Sequence, residues 1–154
     1  MKRKIAMITG ATSGIGEACA RRFAVSGYDL ILTGRNTAKL ESLKESLAGE
    51  TEVITLAFDV RDSEAAAAAV GSLQDKWSEV DVLVNNAGLA LGLEKEYEGN
   101  PEDWWTMIDT NIKGLLTMTR LVVPGMVKRN SGHVINIGSV AGDQAYAGGN
   151  VYCA

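Results

Sequence analysis

The sequence predicts an α/β domain on a doubly wound parallel sheet, strand order 3-2-1-4-5. Three observations predict it. Short apolar runs alternate with segments of helical periodicity along the 154 residues. The runs are nearly continuous in apolar character, the pattern of strands buried on both faces. A glycine-rich loop joins the first run to the first helix, and right-handed crossovers leave few topologies for such a chain.

The elements follow in order. "KIAMIT" (4–9) is a short apolar run ending at Gly10, and reads as a buried strand. "IGEACARRFAVSG" (15–27) has apolar residues at helical spacing and stops at Gly27. "DLILTG" (29–34) is the second strand. "TAKLESLKESLAG" (37–49) puts Leu40, Leu43 and Leu47 on one face of an amphipathic helix. "EVITLAFDV" (52–60) is the third strand. "SEAAAAAVGSLQDKW" (63–77) is a helix whose alanine run is a strong helix former. "DVLVNNAG" (81–88) is the fourth strand with its exit loop. Residues 101–130 read as one long helix, with Pro101 at its start and bends at Gly114, Pro124 and Gly125. "GHVINIGS" (132–139) is the fifth strand. Asn150 reads as the N-cap of a helix beginning Val151-Tyr152-Cys153-Ala154. No repeat or internal linker interrupts this single unit of residues 1–154.

Composition narrows the function classes. Hydrophobic residues make up 46% and charged residues 22%, ordinary values for a folded domain. The net charge of -4 gives no basic surface for nucleic acid. The opening "MKRK" is basic, but the "IAMI" behind it is too short for a signal peptide or membrane span. Cys19 and Cys153 match no metal or disulfide spacing, and His133 is the single histidine. The expectation is a reduced, cytoplasmic protein with no metal.

The first loop, "TGATSGIG", places Gly10, Gly14 and Gly16 between strand and helix. Such a loop brings backbone amides and a helix N-terminus up to a pyrophosphate. This makes the sheet Rossmann-like, although the spacing is G-x-x-x-G-x-G and a tight turn without ligand is the plain alternative. The second strand ends in Gly34-Arg35. A carboxylate there would accept a free ribose 2′-hydroxyl; a guanidinium suits a 2′-phosphate instead. The expected cofactor is therefore NADP, the alternative being a solvated surface arginine.

With these motifs in place, the chain resembles the short-chain dehydrogenase/reductase family. "TGATSGIG" matches its cofactor loop and "NNAG" (85–88) its fourth-strand motif. Asn111 in "DTNIKG", Ser139 in "INIGS" and Tyr152 in "NVYCA" fall where the family keeps its catalytic Asn, Ser and Tyr. "NNAGLALG", "EDWWTMIDTNIKGLLTMTR", "PGMVKRNSGHVINIGS" and "YAGGNVY" resemble a subgroup, the NADP-dependent 3-hydroxy acid dehydrogenases acting on serine and allo-threonine.

The resemblance implies hydride transfer between an alcohol carbon and the nicotinamide, with Tyr152 as general base in oxidation. A free tyrosine ionises near pH 10, so the family relies on a nearby cation to favour the phenolate. Its motif is Tyr-x-x-x-Lys, which falls two positions beyond Ala154. The sequence is thus expected to cover only the N-terminal part of such a protein, stopping after the fifth strand. An apolar "HVINI" left at a sheet edge fits that expectation. Ser139 would bond the reacting oxygen, and Asn111 would relay protons through water at a bend of the long helix. Thr12, Ser13 and Ile15 would line the pyrophosphate loop, Asp59 and Val60 the adenine side, and Asn85, Ala87 and Gly88 the adenosine ribose and cleft floor. The resemblance further implies a homotetramer, with the helix at 101–130 in one interface. Trp104-Trp105 offers either a partner surface or core. Cys19 and Cys153 read as packing residues. Taken singly, Tyr152, Ser139, Asn111 and Asp59 each have a plain structural reading: packing, a turn, a helix misfit, a strand cap. A nucleotide-binding fragment without catalysis is the alternative function.

Overall fold

Residues 2–154 are described by a computed structural model; of the basic opening, Met1 lies outside the described residues. Five short strands make one parallel sheet: β1 (Ile5–Ile8), β2 (Asp29–Gly34), β3 (Val53–Ala57), β4 (Val82–Asn85) and β5 (His133–Asn136). Their order is β3-β2-β1-β4-β5, as the alternation predicts. β1 is central because it pairs on both sides, Ala6 with Leu30 and with Val82. Its four residues are fully buried.

Side chains alternate across a strand, so each strand feeds two cores. Ala6, Ile8, Leu30 and Leu32 face α1 (Gly14–Val25) and α2 (Thr37–Leu47). Leu40, Leu43 and Leu47 of α2 lie on that face, each worth about 1.5–3 kcal/mol on burial. Ile5, Met7, Ile31 and Leu83 face the other way, toward Ala66, Met118, Val122 and Met126. Those residues come from α3 (Ser63–Gly71) and α5 (Leu115–Arg129). At the amino end of the strands, Asp29 is buried and takes hydrogen bonds from Lys76 Nζ at 2.9 Å and Thr51 Oγ1 at 2.9 Å. Burial pushes its carboxyl up, but the bonds from Lys76 and Thr51 outweigh it and hold the group below its ordinary value.

Three elements depart from the sequence reading. The helix expected over 63–77 stops at Gly71; Gln74 is extended, Asp75 takes φ +50°, and only a 3-10 turn (Asp75–Ser78) follows. The break turns Leu73 and Trp77 back onto the core, a tertiary gain that outweighs local propensity. In the long helix Pro124 and Gly125 lie inside an unbroken α5. Its irregularity lies earlier, between α4 (Pro101–Met107) and α5, where Ile108–Gly114 winds as a π-helix. Asn150 is not an N-cap acceptor. It takes φ +39° inside α6 (Asn150–Cys153), and its Nδ2 donates to Glu94 O instead. β5 is the sheet edge, yet Val134 and Ile135 are half-buried against the two cores.

Candidate functional site

The carboxyl ends of the strands open onto a cleft of about 730 Å³ that runs from the β1–α1 loop to α6. At one end the loop is fixed from beneath. Thr9 is buried, and its hydroxyl donates to Val84 O and accepts from Asn86 N and Ala87 N, both at 3.0 Å. Asn86 Nδ2 donates to Thr9 O at 2.9 Å and Gly10 O at 3.1 Å. The loop thus hangs on the exit of the neighbouring strand. Gly10 takes φ +63°, where a side chain is strained. At Gly16 a Cβ would run into Gly10 O and stand 2.5 Å from Asn86 Nδ2. Only glycine lets α1 begin this close to β1. Ser13, at the N-cap, makes no side-chain bond to the first turn, so the orphan amides of a three-turn helix face the cleft.

Charge gathers at the rim beside that loop. Arg35 lines the cleft with 66% of its side chain exposed. Asp59, after β3, takes a forked bond from Arg61: Nη2 to Oδ2 at 2.7 Å and Nε to Oδ2 at 3.0 Å. Its Oδ1 also accepts from Arg61 N at 3.0 Å. Arg35 Nη1 stands farther off, 3.8 Å from Oδ2. The Arg61 bonds hold the Asp59 carboxyl below its ordinary value against the opposing effect of burial. Asp59 therefore caps the strand exit, its plain structural reading, and also fronts the cleft.

At the other end, Asn111 sits in the π-helical stretch. Its Nδ2 donates to Leu89 O at 2.8 Å and its Oδ1 accepts from Leu89 N at 2.9 Å. The side chain thus leaves its own helix to hold the loop after β4, which overturns the misfit reading. Such widened turns recur at functional sites. Ser139 follows β5 by three residues, is exposed, and accepts from Ala141 N at 3.1 Å. Tyr152 is half-buried on α6. Asn111, Ser139 and Tyr152 all line the same cleft as the glycine loop.

Of the fifteen residues singled out from the sequence, Gly16 alone is missing from the cleft wall, being buried beneath it. The others differ in what their side chains do. Ile15 is exposed at the mouth. Thr12 lies against Gly34. Ala87 and Gly88 form the floor beyond β4. Val60 is buried, its Cγ2 packed under Gly114. Asn85 is buried as well, and its Nδ2 donates to Asn136 Oδ1 at 2.9 Å and Thr119 Oγ1 at 3.0 Å. Thr9, Asn86 and Arg61 escaped the sequence reading. Thr9 looked like one more strand residue, and Asn86 stood in "NNAG" beside the Asn that drew notice. Arg61 lies two residues from Asp59, a spacing that carries no signal until the chain turns.

Among the described residues no cluster of three or more His, Cys, Asp or Glu could hold a metal, and no helix is long and apolar enough to cross a membrane. Cys19 and Cys153 are both unpaired.

Comparison with known proteins gives the following. The family model for short chain dehydrogenase matches residues 4–154. The NADP-dependent 3-hydroxy acid dehydrogenase YdfG of Salmonella typhi is 57% identical over 148 residues, 96% of this chain and 59% of that protein. The chain therefore spans about three fifths of the length of that curated relative. The crystal structure of serine dehydrogenase from Escherichia coli superposes with TM-score 0.90 at 52% identity, covering 97% of this chain and 67% of that one. A closed form of serine dehydrogenase complexed with NADP+ superposes with TM-score 0.91 at 52% identity, covering 97% and 59%.

Proposed function

The chain belongs to the short chain dehydrogenase family, and from that premise we propose that the protein is an NADP-dependent oxidoreductase. Its substrate is a small alcohol or the matching carbonyl, a 3-hydroxy acid such as serine or allo-threonine. One observation carries the reading: a single cleft joins the glycine-rich β1–α1 loop and Arg35 to Asn111, Ser139 and Tyr152. The high identity to relatives named for NADP and 3-hydroxy acids supports the substrate class.

The residues present fit the cofactor. The uncapped first turn of α1 offers amides to the pyrophosphate, and Gly16 lets that turn begin close against β1. Arg35 offers an exposed guanidinium to the 2′-phosphate, and Asp59 an acceptor to the adenine amine. When bound, the cofactor supplies the hydride acceptor or donor. Tyr152 takes the hydroxyl proton in oxidation and returns it in reduction. Ser139 donates to the substrate oxygen, which fixes the reacting carbon. Asn111, held at both amide atoms by Leu89, keeps the loop wall in place and contacts the water that relays the proton.

Two further features belong to the same reading. Trp105, Ile112, Leu116 and Val127 are exposed along the long helix, which supports a homotetramer using that face. Two free cysteines and no metal-ligand spacing support a reduced, cytoplasmic setting.

The test is an assay of the full-length protein with NADP+ and L-serine, followed by absorbance of the reduced nicotinamide. Turnover with NADP+ well above that with NAD+ is expected. Tight NADP+ binding with no turnover on any 3-hydroxy acid would replace this reading with the non-catalytic nucleotide-binding one.

A further inference from the structure

Two cations compete for one carboxylate at the adenosine end of the cleft. Arg61 holds Asp59 through a guanidinium fork and through its own amide, at 2.7 to 3.1 Å. Arg35 stands 3.8 Å away from the same carboxylate. The fork geometry makes the Arg61 pair the stronger one. Arg61 itself stands behind Asp59, outside the residues that line the cleft, whereas Arg35 lines it. The side chain of Asp59 is only 25% exposed, so its charge is weakly screened.

We infer that Arg61 is a positioning residue for cofactor choice: by holding Asp59, it leaves Arg35 free to meet a 2′-phosphate. Two physical effects follow from the clamp. An Asp59 carboxylate without Arg61 would draw the Arg35 guanidinium in from 3.8 Å and close that pair. The same carboxylate, no longer neutralised, would repel a phosphate dianion arriving beside it. Both effects penalise NADP and leave NAD, which has no such phosphate, almost untouched. The inference rests on the proposed NADP-binding reading.

The experiment is a fluorescence titration of the full-length protein with NADPH and with NADH, read as the ratio of the two dissociation constants. The ratio cancels any general loss of fit, including a lost adenine contact at Asp59. Arg61→Gln should lower the preference for NADPH by about threefold to tenfold. Adding Asp59→Asn to it should restore the preference, because the competing carboxylate is then gone. Arg35→Gln is the reference for losing the phosphate contact itself. A wild-type protein with no preference for NADPH would remove the underlying reading. A preference abolished by Arg35→Gln but unchanged in Arg61→Gln would overturn the inference alone. A preference lost in Arg61→Gln and not restored by the double variant would mean that Arg61 meets the phosphate directly, which also overturns it. Should Arg61→Gln unfold, Arg61→Lys takes its place, keeping the charge without the fork. Its preference should fall by about twofold, and no fall overturns the inference.

Discussion

The two ends of the cleft are built differently. The adenosine end is pinned to buried strand termini: Thr9 and Asn86 together place hydrogen bonds on Val84, Thr9, Gly10 and Ala87. The reaction end hangs on surface loops. Residues 142–147 are exposed, Ser139 accepts from its near neighbours Ala141 N and Gly142 N, and the four-residue α6 is reached by a bond from Asn150 to Glu94. The difference teaches where rigidity is located. A phosphate cradle needs fixed amides before its ligand arrives, and parallel strands supply them. Tyr152 and Ser139, the groups proposed to act on the substrate, sit on exposed or half-buried surface segments, which open more readily.

Three measurements break or sharpen this comparison. The largest effect is expected at the reaction end. Tyr152→Phe removes the proton acceptor and should reduce turnover by about 10²- to 10⁴-fold. NADPH binding, set at the other end, should change by less than about twofold. A matching loss of binding would show that the two ends are not separable. Gly16→Val tests the adenosine end in the opposite sense. Its side chain would press on Gly10 O and Asn86 Nδ2, costing about 1–3 kcal/mol of stability. The dissociation constant for NADPH should rise by about 100-fold if the displaced loop carries some 2–3 kcal/mol of phosphate contacts. Unaltered binding in a folded variant would remove the cradle from the account.

The smallest effect is on acid stability. Asp59 and Asp29 both titrate below the ordinary carboxylate value in the folded chain, through Arg61 and through Lys76 with Thr51 respectively. A depressed folded value means that the stabilisation is complete above the unfolded value, about pH 4. It is lost as the pH falls through the lower folded values. The share of stability that these two carboxylates supply should therefore be lost from about pH 5 downward, read as a falling urea midpoint. Asp59→Asn should remove the share that belongs to the adenosine end. An acid-side fall in Asp59→Asn as large as in the unsubstituted protein would contradict the Asp59 assignment.

Much of this was legible in the residues alone. Five apolar runs separated by helical periodicity pointed to a parallel sheet, whose central strands β1, β2 and β4 are the buried ones. Right-handed crossovers left few topologies, and the expected order β3-β2-β1-β4-β5 is the one observed. The glycine loop announced itself as a tight strand-to-helix turn, which Gly10 at φ +63° and the close approach at Gly16 require. The end of α3 at Gly71 was less legible: Leu73 and Trp77 find core contacts only if the helix stops, a long-range gain invisible to a local window. The π-helical turn was hidden for a similar reason. Asn111 is drawn out toward Leu89, twenty-two residues earlier, and no spacing records that pull.

The sequence by itself determined the strands, the crossover hand, the glycine-rich strand-to-helix loop and the family motifs, because each is a local pattern tied to backbone geometry. Only the tertiary structure decided that Asn86 latches Gly10, that Arg61 rather than Arg35 holds Asp59, and that Asn150 reaches Glu94 instead of capping its helix. Those are choices among polar partners brought together by folding. Hydrogen bonds depend on distance and angle in space, and neither is written in the order of residues.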